Sequence, residues 1–220
     1  MPWHHPLERA ALADALTLAG PGAPTLCEGW STEHLAAHVV LRESAPLVAA
    51  GIVLRPLAAR TERMTLDLGE RSSTPEGYAA LVDRVRTGPA PWHPLRWAGD
   101  APQLLELFVH TEDVRRGARD EGVAPRPAPP AHVDALWRGL SQVARLLYRG
   151  CPVTVVLTDG DGQLTRVPSG RRGADRSATV VVQGPVGELA LHAFDRAGAA
   201  QVTVDGEPEA VRALDGFRAR

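Results

Sequence analysis

The sequence predicts an α+β protein built in two parts, a helical first half and a smaller mixed second half. Three observations carry this. Apolar residues recur with helical spacing in several segments before residue 120. A stretch with four prolines, Val123–Pro130, interrupts them. After one more helical segment the pattern changes to short β-branched runs separated by Gly-rich turns. The organisation expected is a helical bundle over 1–122, a linker over 123–130 and a small α+β domain over 131–220.

Each element has its own signal. Leu7, Ala10, Leu12, Leu16 and Leu18 space a first helix over Pro6–Leu18, and GPGAP stops it. Ser31 or Thr32 can cap a second, running to about Ala50 with Leu35, Val39 and Val40 as its apolar residues. Gly51–Thr74 reads as a long connection with a short helix near Leu57–Met64. Pro75 suits the first position of a third helix, to about Thr87. Asp100, with Gln103 three residues on, has the form of a capping box for a fourth, to about Arg119. Beyond the linker, Ala131–Arg149 is helical, and VTVVL, QLTRV and ATVVVQ read as strands. A helix from Pro185 to about Ala197, a strand in AQVTVDG and a short helix after Pro208 complete the chain.

Composition narrows the function. The 220 residues are 44% hydrophobic and 23% charged, with a net charge of −2, an ordinary globular balance. Nothing in it points to nucleic acid or an anionic membrane as a partner. No apolar run reaches the ~18 residues of a membrane span. The N-terminus lacks the basic-then-apolar layout of a signal peptide. The two cysteines, Cys27 and Cys151, form no CxxC motif, and a reduced, cytoplasmic protein is expected. The basic residues are all Arg, and Lys and Asn are absent, which reads as the codon bias of a GC-rich genome.

The chemistry-bearing signal lies in LLELFVH, Leu104–His110. Its apolar residues surround the helix, yet Glu106 and His110 stand one turn apart, about 40° round the axis. Burying a carboxylate costs several kcal/mol, so a partner is expected. A Glu–His pair at this spacing is most often hydrogen-bonded, and it is also half of a metal site. The other half of such a site usually comes from a facing helix. HLAAHVV offers His34 and His38, and His38, between Ala37 and Val39, is the better ligand. His4, His5, His93, His132 and His192 read as loop or exposed residues, and Glu112–Arg116 as a surface ion pair.

LCEGWSTEHLAAHVVLRESAP and LLELFVHTEDVRR together resemble the DinB-like, mycothiol-dependent maleylpyruvate isomerase superfamily, nearest to a subgroup of uncharacterised actinobacterial metal-binding proteins. GPVGELALHAFDRAGAAQVTVDG is similar to the end of the C-terminal domain of those enzymes. The resemblance implies a four-helix bundle with a long crossover between its second and third helices, here Gly51–Thr74. It implies a divalent metal held by His38, Glu106 and His110. It implies a low-molecular-weight, mycothiol-like thiol as cofactor, and a catalytic role for Arg196, preceded here by Asp195 where the family more often has Gly.

The function expected is therefore that of a metal-dependent enzyme using such a thiol for S-transfer to, or isomerisation of, a small electrophile. Zinc is the first choice of metal, and nickel, iron(II) and manganese suit the same donors. The rival is a protein that binds metal or thiol without turnover, as a sensor. Cys27, near the second helix, is expected to be a packing residue rather than a nucleophile.

Overall fold

The computed structural model describes residues 3–44, 55–96, 99–100, 103–117, 122–170 and 178–218, with backbone alone for 55–58 and 94. The chain divides into two compact units, Met1–Val123 and Ala124–Arg220. The first is helical: α1 (His5–Ala19), α2 (Thr32–Ser44), α3 (Arg55–Arg71), α4 (Pro75–Thr87) and α5 (Leu104–Gly117). The expected continuation of α2 to Ala50 and of α5 to Arg119 lies outside the described residues.

α1 packs against α4 and α5, and α2 against α3 and α4. Leu12, Leu16, Leu35, Val39, Leu81, Val85 and Leu107 form the shared core. A buried polar cluster pins the same helices. Arg9 on α1 makes a bidentate pair with Glu43 on α2 and donates to the Val85 carbonyl of α4. It also donates to Gln103, just before α5. Charge-assisted forks of this kind fix geometry well. The cluster lies one residue from Arg42 and three from Glu106, so it holds the two helices that carry the candidate site.

Two expectations are corrected here. The segment expected as a connection with a short helix near Leu57–Met64 is the 17-residue helix α3. Its buried face includes Thr61 and Thr65, hydroxyl residues at positions where periodicity looks for apolar ones. Gly69 lets α3 approach α2, because a Cβ there would run into the His34 ring. The Asp100–Gln103 capping box does not form. Asp100 Oδ1 instead accepts from the backbone N–H groups of His4 and His5 and pairs with His5 Nδ1 at 2.9 Å. The open N–H groups at the start of α1 draw the carboxylate there. Gln103 turns inward and donates to the Leu95 carbonyl.

The second unit holds α6 (Pro130–Leu147), β1 (Thr154–Thr158), β2 (Leu164–Val167), β3 (Thr179–Gln183), α7 (Val186–Ala193), β4 (Thr203–Gly206) and α8 (Pro208–Arg218). The sheet order is β2-β1-β3-β4, with β1 and β3 parallel and the outer pairs antiparallel. Val155, Leu157, Val180 and Val182 are buried at alternate positions, as a one-sided core requires. α7 is buried along most of its length. It ends sooner than the expected Ala197, because Asp195 takes a left-handed backbone, φ 64°. That conformation suits Gly best and tolerates Asp. No helix among the described residues is long and apolar enough to cross a membrane.

Candidate metal centre

α2 presents His38, and α5 presents Glu106 and His110 one turn apart. The structure brings the three together: one ligand-type atom from each lies within 4.8 Å of the other two. The His38 and His110 rings meet edge to face, with centroids 5.3 Å apart. Trp30, from the loop before α2, covers His38 at 5.0 Å between centroids. His110 is buried and Glu106 half-buried. The donor set, two imidazoles and a carboxylate, is the kind that holds a borderline divalent cation with coordination positions left open.

Behind His110 lies a carboxylate that periodicity did not single out. Asp113, fully buried, places Oδ2 2.9 Å from His110 Nδ1. The same oxygen accepts from Cys27 Sγ at 3.2 Å. Cys27, His110 and Asp113 thus form a second group whose ligand-type atoms lie within 4.8 Å of one another. Burial alone would lower the His110 pKa, but the hydrogen bond and charge of Asp113, with a smaller contribution from Cys27, outweigh it and push it up to about 9. Only the spacing His110-x-x-Asp113 could have flagged Asp113, since i, i+3 residues share a helix face.

Glu106 does find the partner its burial demands. Arg42, one turn beyond His38 on α2, forms an ion pair with it through Nε. Periodicity could have suggested this too, because Arg42 follows His38 by four residues.

The remaining polar residues sort differently from expectation. His34 sits outside the triad and shares a hydrogen bond with the Ser31 hydroxyl at 2.8 Å, so it serves the start of α2. Glu112–Arg116 is no surface pair: Glu112 is fully buried and bonds both Arg115 and Arg116. Two guanidiniums satisfy a carboxylate that would otherwise be costly to bury. His5, His132 and His192, read as loop or exposed residues, are buried. His192 shares a hydrogen bond of 2.8 Å with the Tyr148 hydroxyl, a partner 44 residues away that no local pattern reveals. Cys27 is half-buried against the first unit's core and bonded to Asp113, so it is more than packing. Both cysteines are free thiols. Arg196 lies in the second unit, just after α7, where its guanidinium donates to the Phe194 carbonyl at 2.6 Å.

No protein-family model matches the chain, and no curated protein matches it. Solved structures do. The crystal structure of the mycothiol-dependent maleylpyruvate isomerase matches with a TM-score of 0.53 and 20% identity, covering 92% of this chain and 91% of that one. A histidine-to-alanine mutant of the same isomerase gives the same figures. At that identity the likeness is one of fold. Over nine-tenths of its length, the chain has the fold of the maleylpyruvate isomerase-like proteins that its two helical motifs resemble.

Proposed function

We propose that the chain is a divalent-metal-dependent enzyme that employs a low-molecular-weight, mycothiol-like thiol for S-transfer to, or isomerisation of, a small electrophile. The observation that carries this is the convergence of His38, Glu106 and His110 within 4.8 Å. The fold likeness to a mycothiol-dependent isomerase supports the thiol. In this reading α1, α2, α4 and α5 form a DinB-like four-helix bundle, with α3 inside the crossover. The domains are 1–122 and 131–220, joined by the linker 123–130.

The residues fit a cation. His38 and His110 would each supply a nitrogen, and Glu106 an oxygen, with zinc the first choice of metal. When bound, such a cation lowers the pKa of a coordinated thiol or water and holds it as the nucleophile. The chain's own residues do the rest. Arg42 pairs with Glu106 Oε2, which leaves Oε1 as the oxygen for a cation and restrains the carboxylate. Trp30 packs against one side of His38. Arg196 would pair with a carboxylate of the thiol or substrate.

One observation favours a third reading, a structural polar seam that needs no metal. Arg42 already gives Glu106 a cationic partner. The test is a thiol-and-electrophile screen on the zinc-loaded chain. Turnover that needs both zinc and thiol, and that falls at least about tenfold in Arg196→Ala, supports the enzyme. Zinc binding with no turnover across the screen favours the binder.

A further inference from the structure

The contacts behind His110 carry a step that rests on the metal reading. We infer that Asp113 is a positioning residue that selects which His110 nitrogen is offered to a cation, and that Cys27 is the hydrogen-bond donor holding Asp113 in place.

An ionised carboxylate only accepts hydrogen bonds, while a ligating imidazole carries one N–H and one lone pair. Asp113 Oδ2 lies 2.9 Å from His110 Nδ1, so the proton belongs on Nδ1. The lone pair is then on Nε2. A carboxylate fixed on the far nitrogen is the usual way that a metal-binding histidine is oriented.

Asp113 must itself be held. It is fully buried on α5, and its Oδ2 takes a second donor, Cys27 Sγ, at 3.2 Å. Its backbone carbonyl accepts from Leu26 N at 3.0 Å, so the loop is joined to α5 at neighbouring points. Gly117 permits this approach, since a Cβ there would strike Pro24 and Thr25. The loop is also bonded to itself. Thr25 Oγ1 donates to the Trp30 carbonyl at 2.7 Å, and Trp30 N donates to the Cys27 carbonyl at 3.0 Å. The Trp30 ring packs against the His38 ring, tilted 45° to it. A single loop, Pro24–Ser31, therefore addresses both histidines, one by a tilted ring contact and the other through Cys27 and Asp113. In this role the sulfur is a hydrogen-bond donor, and a hydroxyl can replace it.

The test compares full-length wild type, Asp113→Ala, Cys27→Ala and Cys27→Ser. Zinc affinity is read by competition with a chromophoric chelator, and the His110 ring nitrogens by NMR of the zinc-loaded chain. Wild type should show zinc on Nε2 and a slowly exchanging Nδ1 proton. Asp113→Ala should lose that proton and bind zinc about 10–100-fold more weakly. Cys27→Ala should weaken binding several-fold, and Cys27→Ser should recover most of it. The Cys27 pair keeps the test alive if Asp113→Ala does not fold. Zinc on Nδ1, an Asp113→Ala affinity equal to wild type, or Cys27→Ser no better than Cys27→Ala would each overturn the inference while the metal reading stands. A wild type that takes up no zinc overturns the metal reading itself, and this inference falls with it.

Discussion

His110 and His192 are both buried imidazoles, one in each unit, and their neighbourhoods push them in opposite directions. Burial disfavours the charged ring in both places. At His110 the buried Asp113 carboxylate reverses that, and the pKa rises to about 9. At His192 the Arg218 guanidinium adds to it, and the pKa falls to about 4. Tyr148, stacked beside His192 and sharing its Nδ1, has a hydroxyl pushed up to about 12, chiefly by burial. Without a metal the first neighbourhood favours a protonated ring, whose second proton a cation would displace. The second suits a neutral ring that ties α6 to α7. Both rings are buried, so the opposite shifts come from the charge beside each ring and not from depth.

The harshest test of this contrast separates the two units. A fragment ending at Gly122 should fold as a helical unit and bind zinc within about threefold of the full chain, because every candidate ligand precedes the cut. Circular dichroism and a zinc titration check it. An insoluble or molten fragment would mean that the two units share one core.

The next largest effect is the pH response, followed by chemical denaturation of the full chain with chelator present. For His192 the folded pKa, about 4, lies below the unfolded value of 6.5. The unfolded chain therefore takes up the proton first, and stability falls as pH drops from 6.5 towards 4. The full effect is of order 3 kcal/mol. His192→Gln should flatten this acid limb. For His110 the folded pKa, about 9, lies above 6.5. Its contribution is complete below 6.5 and is lost as pH rises through 9. His110→Gln should flatten that alkaline limb and leave the acid one. Equal slopes in wild type and both variants would remove the contrast.

A smaller change sharpens the His192 side. Arg218 lies over the Tyr148 ring at 3.9 Å and pairs with Asp195 at 2.6 Å. Arg218→Leu should raise the His192 pKa, measured by NMR titration, by about one unit, worth ~1.4 kcal/mol. An unmoved pKa would leave burial as the whole cause. Smaller still, Tyr148→Phe removes one neutral hydrogen bond and should cost ~1 kcal/mol in denaturation. A loss above ~3 kcal/mol would mean that the hydroxyl organises more than His192.

The residues also show how much of this was legible in the sequence. Most helices and all four strands announce themselves by period and by Pro, Gly and Thr punctuation. α3 does not, because Thr61 and Thr65 occupy its buried face and tertiary packing overrides their polarity. In the candidate site, Glu106 and His110 stand out because everything around them is apolar. His38 follows by the same logic. Asp113 and Arg42 do not stand out, since an Asp or Arg at helical spacing reads as solvated until another segment is placed against it, and Cys27 stands out only as a thiol whose partner Asp113 is far away in sequence. Asp100 shows the same limit: its local pattern names one helix, and the fold gives it to another. His192 was hidden for the converse reason, its partner Tyr148 being far away in sequence.

The central claim is that His38, Glu106 and His110 hold a cation. Metal analysis of the full chain, purified without chelator and then saturated with zinc, tests it most directly. The account predicts about one divalent ion per chain in wild type and in His34→Ala, and almost none in Glu106→Ala or His110→Ala. A wild type that holds no metal after zinc is added, with no change in melting temperature, would contradict it.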